Sequence, residues 1–162
     1  NNFMRKSNWC INMYSKKLKE MREKRELKQY EMSSILGFKN EEVYGNYERE
    51  NTTIPIKHLI KVCEYFDCSI DYIFNFTNLK KYKNLKHTVN LDLMRERLRE
   101  LRKNNKLTQE KLANILKMAP STLGDYERKA KIIATPFLYD ICKKYHISAD
   151  YLLGKIDKPQ KL

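Results

Sequence analysis

The feature that most constrains this chain is an internal repeat. Residues 18–36 align with residues 98–116 at an offset of 80, and residues 42–74 align with residues 121–153 at an offset of 79. Seven positions are identical in the first segment and ten in the second, and they include Gly, Gln, Arg and Asp. Shared helical patterning alone would not reproduce these polar identities. The 162-residue chain is therefore expected to contain two similar domains of about 75 residues, each long enough for its own core.

Each copy carries the pattern of five short helices. The first helix of each has apolar residues at i, i+4 and i+7, which predicts one buried face. Thr108 is the expected N-cap of the second helix of the second copy, and Ser69 and Ser148 are expected to cap the last helices. Thr135 is expected to cap the fourth helix, with Pro136 at the first helical position. The predicted fold is all-α, with two tandem five-helix domains joined by a basic linker.

Composition suggests where these domains begin and end. The expected segments are an N-terminal arm at 1–12, a first domain at 13–76, a basic linker at 77–90, a second domain at 91–154 and a polar tail at 155–162. The linker contains four lysines and no acidic residue. Its sequence fits either a flexible tether or a short basic helix.

The charge of the chain indicates a polyanionic partner. The formal net charge is +13 and the pI is about 9.5, which makes nucleic acid the leading class of partner. Residues 1–76 carry a net charge of +2, the linker +4 and residues 91–162 +7, so the positive field belongs to the linker and the second copy. No run approaches the roughly 18 apolar residues that span a bilayer, and the first thirty residues lack the apolar core of a signal peptide. We expect a cytoplasmic protein.

Cysteine and histidine spacing does not indicate a metal site. Cys10, Cys63, Cys68 and Cys142 form no CxxC pair. His58 precedes Cys63, but Cys63 lies on the apolar stripe of its helix, where a free thiol packs as a small hydrophobe. We therefore expect no metal and no cofactor. No nucleophile and base, phosphate loop or carboxylate pair has supporting spacing, so we expect no enzymatic activity.

Two runs in the second copy carry a family resemblance. The run QEKLANIL at 109–116, a turn, and then STLGDYE at 121–127 resemble the Cro/phage-repressor type of helix-turn-helix family, also called XRE. The first copy has QYEMSSIL at 29–36 and EVYGNYE at 42–48, a less clean version. The resemblance implies repressor-like domains whose partner is double-stranded DNA. Its physical basis is that a major groove about 12 Å wide admits one helix, which a preceding helix holds at a set depth and angle.

The resemblance also implies DNA-contacting residues in the second domain. Gln109 would anchor the DNA backbone or a base edge, and the recognition helix would begin within 119–125. Pro120 donates no hydrogen bond, so base recognition would rest on few side chains, with Asp125 accepting from a cytosine amino group or disfavouring wrong sites. The full set is Thr108, Gln109, Ala119, Pro120, Ser121, Thr122, Asp125, Arg128, Lys129 and Lys131. Cations of the preceding first helix, Arg95, Arg97, Arg99, Arg102 and Lys103, also suit phosphate contacts.

The first copy is expected to read DNA less well. Its equivalent positions are Lys28, Gln29, Asn40, Glu41, Glu42 and Asn46. Two adjacent glutamates facing phosphates are unfavourable unless each meets a cytosine amino group, so this copy is a weak reader or a module for packing or for another protein. In both copies the resemblance implies a structural ion pair, Arg22 with Glu48 and Arg102 with Glu127, that fixes helix orientation.

The leading functional hypothesis is a sequence-specific DNA-binding transcriptional regulator, and the resemblance implies a repressor. The alternative is an antitoxin-like or other protein-binding module whose helix-turn-helix supports autoregulation. If both copies bind, fourteen extended linker residues reach at most roughly 46–50 Å, enough for half-sites about 34 Å apart. Homodimerisation through the closing helix is also expected to be possible, with Tyr151, Leu152 and Leu153 as the exposed apolar residues.

Overall fold

The chain divides into two helical units, with the division between Tyr82 and Lys83. The computed structural model describes residues 8–160 and residue 162. The first unit contains α1 (Asn8–Glu23), α2 (Gln29–Ile35), α3 (Val43–Glu48), α4 (Ile56–Phe66) and α5 (Ile70–Ile73). The second contains α6 (Leu91–Asn104), α7 (Gln109–Ile115), α8 (Pro120–Arg128), α9 (Thr135–Tyr145) and α10 (Ala149–Leu152). Residues 8–160 contain no strand, and the predicted all-α fold of two tandem five-helix domains is confirmed.

Each unit encloses its own apolar core, built from the stripes that the sequence predicts. In the first unit, Leu18 of α1 and Leu59 of α4 are fully buried. Their counterparts Leu98 and Leu138 are fully buried in the second unit. In each unit the second helix contacts the third, and the third also contacts the first helix.

Helix starts follow side-chain capping at three of the four predicted positions. Thr108 Oγ1 accepts a hydrogen bond from the amide of Lys111 at 3.1 Å. Ser69 and Ser148 cap α5 and α10 in the same way, each at 3.0 Å. The prediction for Thr135 is wrong by one residue: Ala134 is the N-cap, and Thr135 is the first helical residue with its side chain buried. Pro136 consequently occupies the second helical position.

The expected terminal segments differ from the structure. Residues 1–7 of the expected arm lie outside the described residues, and residues 8–12 belong to α1. The expected tail begins inside the second unit, because Lys155 is fully buried and Ile156 is 4% exposed. The Lys155 ammonium lies 2.8 Å from the Asp150 carboxylate, and both side chains are inaccessible to solvent. A lysine that reads as surface charge in the sequence is therefore part of the core.

The segment between the domains is neither a free tether nor a helix. The carbonyl of Lys80 accepts from the amide of Ser69 at 2.8 Å, and the Tyr82 hydroxyl donates to Asp71 at 2.8 Å, so 77–82 packs on the first unit. The amides of Lys86 and Asn90 donate to carbonyls of the second unit at 2.9 and 3.0 Å. Only residues 83–85 lie between these attachments, so a reach calculated for fourteen extended residues does not apply.

The expectation that Leu152 and Leu153 are exposed at the closing helix is wrong. Leu152 and Leu153 are fully buried within their own unit. Tyr151 is half-buried, and the Arg97 guanidinium lies 3.9 Å from the centre of its ring. The two leucines at the end of this short helix belong to the core of the second unit.

No helix within the described residues is long and apolar enough to cross a membrane. In the same part of the chain, no group of three or more His, Cys, Asp or Glu side chains is placed to hold a metal ion. Cys63, Cys68 and Cys142 are buried.

Candidate nucleic-acid interface

In the second unit, a tight turn places α8 after α7. The turn is closed by a hydrogen bond from the amide of Met118 to the carbonyl of Ala113 at 2.9 Å. Lys117 adopts a left-handed conformation with φ of 55°, at the place where the first unit has Gly37 with φ of 64°. Ala119 is the N-cap of α8 and Pro120 is its first residue, which the fixed φ of proline favours.

The faces of α8 are sharply divided. Leu123, Tyr126 and Glu127 point into the unit and are buried. At the beginning of the helix, Ala119, Pro120 and Ser121 are exposed, and Thr122 and Asp125 are half-buried. The start of α8 is therefore open to a macromolecule, while its inner face holds the helix in place.

A buried polar triad fixes the end of α8. Arg102 donates to both carboxylate oxygens of Glu127 at 2.7 and 2.9 Å, and Gln109 Nε2 donates to the same carboxylate at 2.7 Å. The Glu127 side chain is 2% exposed. Burial alone would raise the pKa of Glu127, but the hydrogen bonds from Arg102 and Gln109 lower it on balance. The same hydrogen bond to Glu127 raises the pKa of the Arg102 guanidinium. The charged triad ties α6, the start of α7 and α8 together.

The first unit contains the same triad. Arg22 donates to the two oxygens of Glu48 at 2.8 and 3.0 Å, and Gln29 Nε2 donates to that carboxylate at 2.7 Å. Both glutamines thus serve the scaffold through their Nε2 atoms, whereas the sequence assigned Gln109 and Gln29 to DNA. The signal for this role was available: Arg, Gln and Glu are identical at these three positions in both copies.

The glutamine oxygens differ between the units. In the first unit, Arg49 donates to Gln29 Oε1 at 2.6 Å and to Asn46 Oδ1 at 3.2 Å. Asn51 also donates to Asn46 Oδ1, at 3.1 Å. Gly45 leaves room for this arrangement, because a Cβ there would lie 2.6 Å from Gln29 Oε1. Two of the first unit's candidate DNA-contacting side chains, Gln29 and Asn46, are therefore joined through Arg49.

The start of α3 also differs from that of α8. The helix has only 6 residues against the 9 of α8, and its N-cap Glu42 has no side-chain capping bond. Asn40 Oδ1 accepts from the amide of Glu42 at 2.7 Å, which forms a turn where the second unit already has helix. Asn40, Glu41 and Glu42 are exposed, as is Lys28. An acidic turn therefore occupies the position equivalent to Pro120 and Ser121.

At the outer face of α8, Asp125 is paired with Lys129. The ammonium of Lys129 lies 2.9 Å from the Asp125 carboxylate, and this hydrogen bond lowers the pKa of Asp125. Arg128 lies over Gly124, where an added Cβ would lie 2.5 Å from its Nη2 atom. Arg128, Lys129 and Lys131 are all exposed, and Lys131 is 5.4 Å from the ring of Tyr126.

The cations of α6 do not all suit phosphate contact. Arg97 is 9% exposed and donates to the carbonyls of Tyr151 and Ile156, so its expected role is wrong. At this position Arg97 supplies hydrogen-bond donors to carbonyls at the end of the unit. Arg102 is used by the triad. Arg99 and Lys103 are exposed, and Arg95 is half-buried.

A known protein family matches the two units separately. A family model described as a helix-turn-helix domain matches residues 15–79 and again residues 96–158. A 64-residue stretch is 42% identical to the uncharacterized HTH-type transcriptional regulator YobD of Bacillus subtilis (strain 168). That stretch covers 40% of this chain and 57% of the length of the relative. No solved structure matches the chain significantly.

Proposed function

The chain belongs to the XRE-type helix-turn-helix family, and we propose that it is a sequence-specific transcriptional regulator that reads duplex DNA with α8. The observation that carries the proposal is the exposed start of α8 on a helix whose inner face is locked by the triad. A recognition helix contacts base edges mainly with its first residues. In this unit those residues are Ala119, Pro120 and Ser121, followed by Thr122 and Asp125.

The groups available for base contact are few. Ser121 donates and accepts through its hydroxyl, and Thr122 offers a hydroxyl and a methyl group. Asp125 is held by Lys129 in the free protein, so its use as an acceptor from cytosine would require that pair to open or to bind as a unit. Ala119 and Pro120 offer apolar contact of the kind that the thymine methyl accepts. Thr108 is exposed at the start of α7, where phosphate contact is the proposed role, whereas Gln109 is held in the triad.

We propose that the first domain contributes little direct recognition. Glu41 and Glu42 would face phosphates at the place where α8 presents Pro120 and Ser121. Like charges placed together across an interface cost several kcal/mol and exclude wrong partners. The internal bonds of Gln29, Asn46 and Arg49 would also have to break before these side chains could contact DNA.

We propose that the protein represses transcription, because its helix-turn-helix runs resemble those of phage-repressor proteins. The proposed location is the cytoplasm, where the DNA of a bacterial cell lies. The second hypothesis is a protein-binding role, as in an antitoxin. Glu41 and Glu42 are exposed in the turn before α3, and they suit a basic partner better than DNA.

The test exchanges one residue between equivalent positions of the two domains in the full chain. Ser121 aligns with Glu42 at the offset of 79. Duplexes enriched by the wild-type chain from a random pool provide the probe, and affinity is measured by fluorescence anisotropy. Ser121→Glu is expected to weaken binding by at least about tenfold, because it brings a carboxylate to the groove. Glu42→Ser is the matched control and should change affinity by less than about threefold.

Other outcomes would change the assignment. Enrichment of no duplex would reject DNA recognition and favour the protein-partner hypothesis. Equal affinity of wild type and Ser121→Glu would exclude α8 as the reading helix. Stronger binding by Glu42→Ser would show that the first domain approaches DNA.

A further inference from the structure

Two arginines of α6 cap the carboxyl end of α8. Arg99 donates to the carbonyl of Glu127 at 2.8 Å, and Arg95 donates to the carbonyl of Arg128 at 3.4 Å. The last carbonyls of a helix have no partner within the helix and carry its partial negative charge. These two arginines therefore place full positive charges on the negative end of the proposed recognition helix. Neither contact was predicted from the sequence.

Three further cations surround this end of α8. We name Arg95, Arg99, Arg128, Lys129 and Lys131 the C-terminal cation cluster. The carboxylates paired with members of the cluster are Asp92, which pairs with Arg95, and Asp125, which pairs with Lys129. Five cations and two carboxylates leave an excess of three positive charges. Each arginine has five N–H donors, and the caps use only part of them.

The equivalent end of α3 lacks the cluster. Ser15 and Lys19 stand at the positions of Arg95 and Arg99, and Arg49, Glu50 and Thr52 stand at those of Arg128, Lys129 and Lys131. Asn12 and Asn46 replace the two aspartates. Ser15 is buried and Lys19 lies 3.9 Å from Glu23. The seven positions thus carry a net charge of +1 in the first domain and +3 in the second. The scaffold is shared, so the cluster is a property of the second domain and not a requirement of the fold.

The length of α8 indicates what the cluster would meet. Nine residues at 1.5 Å each give a helix of about 13 Å, and the major groove is about 12 Å wide. When the start of such a helix contacts bases, its end lies at the edge of the groove, where the phosphates are. An uncapped carboxyl end would repel them.

We propose that the C-terminal cation cluster binds backbone phosphates of duplex DNA, with Arg95 and Arg99 converting the end of α8 from a repulsive to an attractive one. This inference rests on the proposed function of α8. Among the α6 cations expected to suit phosphate contacts, it selects the two that cap α8. Phosphate contacts position a protein on the duplex and supply affinity without sequence information.

The test is the salt dependence of binding to a fixed 24-base-pair duplex of arbitrary sequence, using the full chain. Each phosphate neutralised by a cation contributes about 0.9 to the slope of log K against log salt concentration. Arg95→Gln with Arg99→Gln should therefore reduce the slope by about 1.8 and lower affinity about 10- to 100-fold near 0.1 M salt. Arg95→Lys with Arg99→Lys keeps the charges and should restore most of the slope.

The matched control removes two cations elsewhere in the same domain. Lys143 and Lys144 are exposed in the last turn of α9, and their double change to Gln has the same effect on net charge. It should leave the slope within about 0.3 of the wild-type value. If the wild-type chain binds but the arginine variant keeps the wild-type slope, the cluster does not contact phosphates. An equal loss in the lysine control would mean that only overall charge matters. Absence of duplex binding by the wild type would reject the proposed function itself.

If the arginine variant does not fold, as judged by circular dichroism, Lys129→Gln with Lys131→Gln tests the same cluster. Both of these lysines are exposed, and neither caps α8 in the way that Arg95 and Arg99 do. The same slope reduction is expected from this pair, and an unchanged slope would contradict the proposal.

Discussion

The two domains share one scaffold and present different surfaces. Each holds its third helix with an Arg–Glu–Gln triad of nearly equal geometry, Arg22, Glu48 and Gln29 in one and Arg102, Glu127 and Gln109 in the other. At the outer surface, the first domain has a shorter helix, a preceding acidic turn and polar side chains bound to one another. The second has a longer helix, an open start and a cationic end. The residues of the triad are retained in both copies and maintain helix geometry, while the outer surfaces of the two third helices differ in charge and in exposed side chains.

A buried aspartate in each core shows the same contrast, because the position is shared and the partner differs. Asp71 and Asp150 occupy equivalent positions, and both are fully buried. The first receives a hydrogen bond from Tyr82 at 2.8 Å, and the second is paired with Lys155 at 2.8 Å. Each partner comes from the chain just beyond α5 or α10. Both segments, expected as a linker and a tail, therefore complete the domain that precedes them.

Among the substitutions that test this comparison, Lys155→Met is expected to lower the free energy of unfolding most. Removing one member of a fully buried ion pair leaves its partner charged without its counter-ion, at a cost of about 3–5 kcal/mol in unfolding free energy. Hydrogen exchange measured by mass spectrometry should show loss of protection in 91–156 and little change in 14–82. Lys158→Met, at an exposed position, is the control. Stability within 1 kcal/mol of wild type would show that the pair contributes little.

A smaller effect is expected from the equivalent contact of the first domain. Tyr82→Phe removes the hydroxyl that donates to Asp71 and should cost about 1.5–3 kcal/mol, the usual range for a hydrogen bond to a charged group. Here the loss of protection should appear in 14–82. Unchanged exchange in that region would mean that residues 77–82 do not stabilise the first domain.

Acid should weaken the triad of the second domain. The pKa of Glu127 is lower in the folded protein than in the unfolded chain, where it is about 4.3. The stability contributed by the charged carboxylate is therefore complete at a pH above the unfolded-state pKa. It is lost as the pH falls through the folded-state pKa. Denaturant unfolding between pH 7 and pH 3 should show this loss below about pH 4.3. Glu127→Gln should be less stable than wild type at neutral pH, and the difference between the two proteins should narrow in acid. A constant difference would contradict the lowered pKa.

The sequence predicted the parts of the fold that depend on local pattern. Helical stripes, the caps at Ser69, Thr108 and Ser148, and the repeat itself were sufficient for two five-helix domains. The roles that depend on distant contacts were not predictable in the same way. Lys155 and Arg97 look like surface charges until the carboxylate and carbonyls that they serve are known. At the candidate site, the positions near the start of α8 were identified, but the use of Gln109 in the triad and the capping by Arg95 and Arg99 required the tertiary structure.

The smallest expected effect concerns the turn between the second and third helices. Gly37 and Lys117 both have left-handed backbones, with φ of 64° and 55°. A left-handed conformation costs a residue with a Cβ roughly 1–2 kcal/mol. Glycine avoids this strain but loses more backbone entropy on folding, at a cost of about 0.5–1 kcal/mol. Lys117→Gly should therefore stabilise the second domain by about 0.5 kcal/mol, measured by denaturant unfolding.

The reciprocal substitution, Gly37→Ala, tests the energetic cost of the left-handed backbone by itself. An added Cβ at Gly37 would have the Lys61 ammonium as its nearest neighbour, at 4.0 Å, so Gly37→Ala introduces no steric clash and its cost of about 1 kcal/mol should be conformational. Lys117→Asn removes the same charge as Lys117→Gly and keeps a side chain that tolerates left-handed φ, so it separates charge from conformation. If Lys117→Gly destabilises the second domain, the lysine side chain itself contributes to the turn. The two turns would then be stabilised differently, in parallel with the different outer surfaces of the two domains.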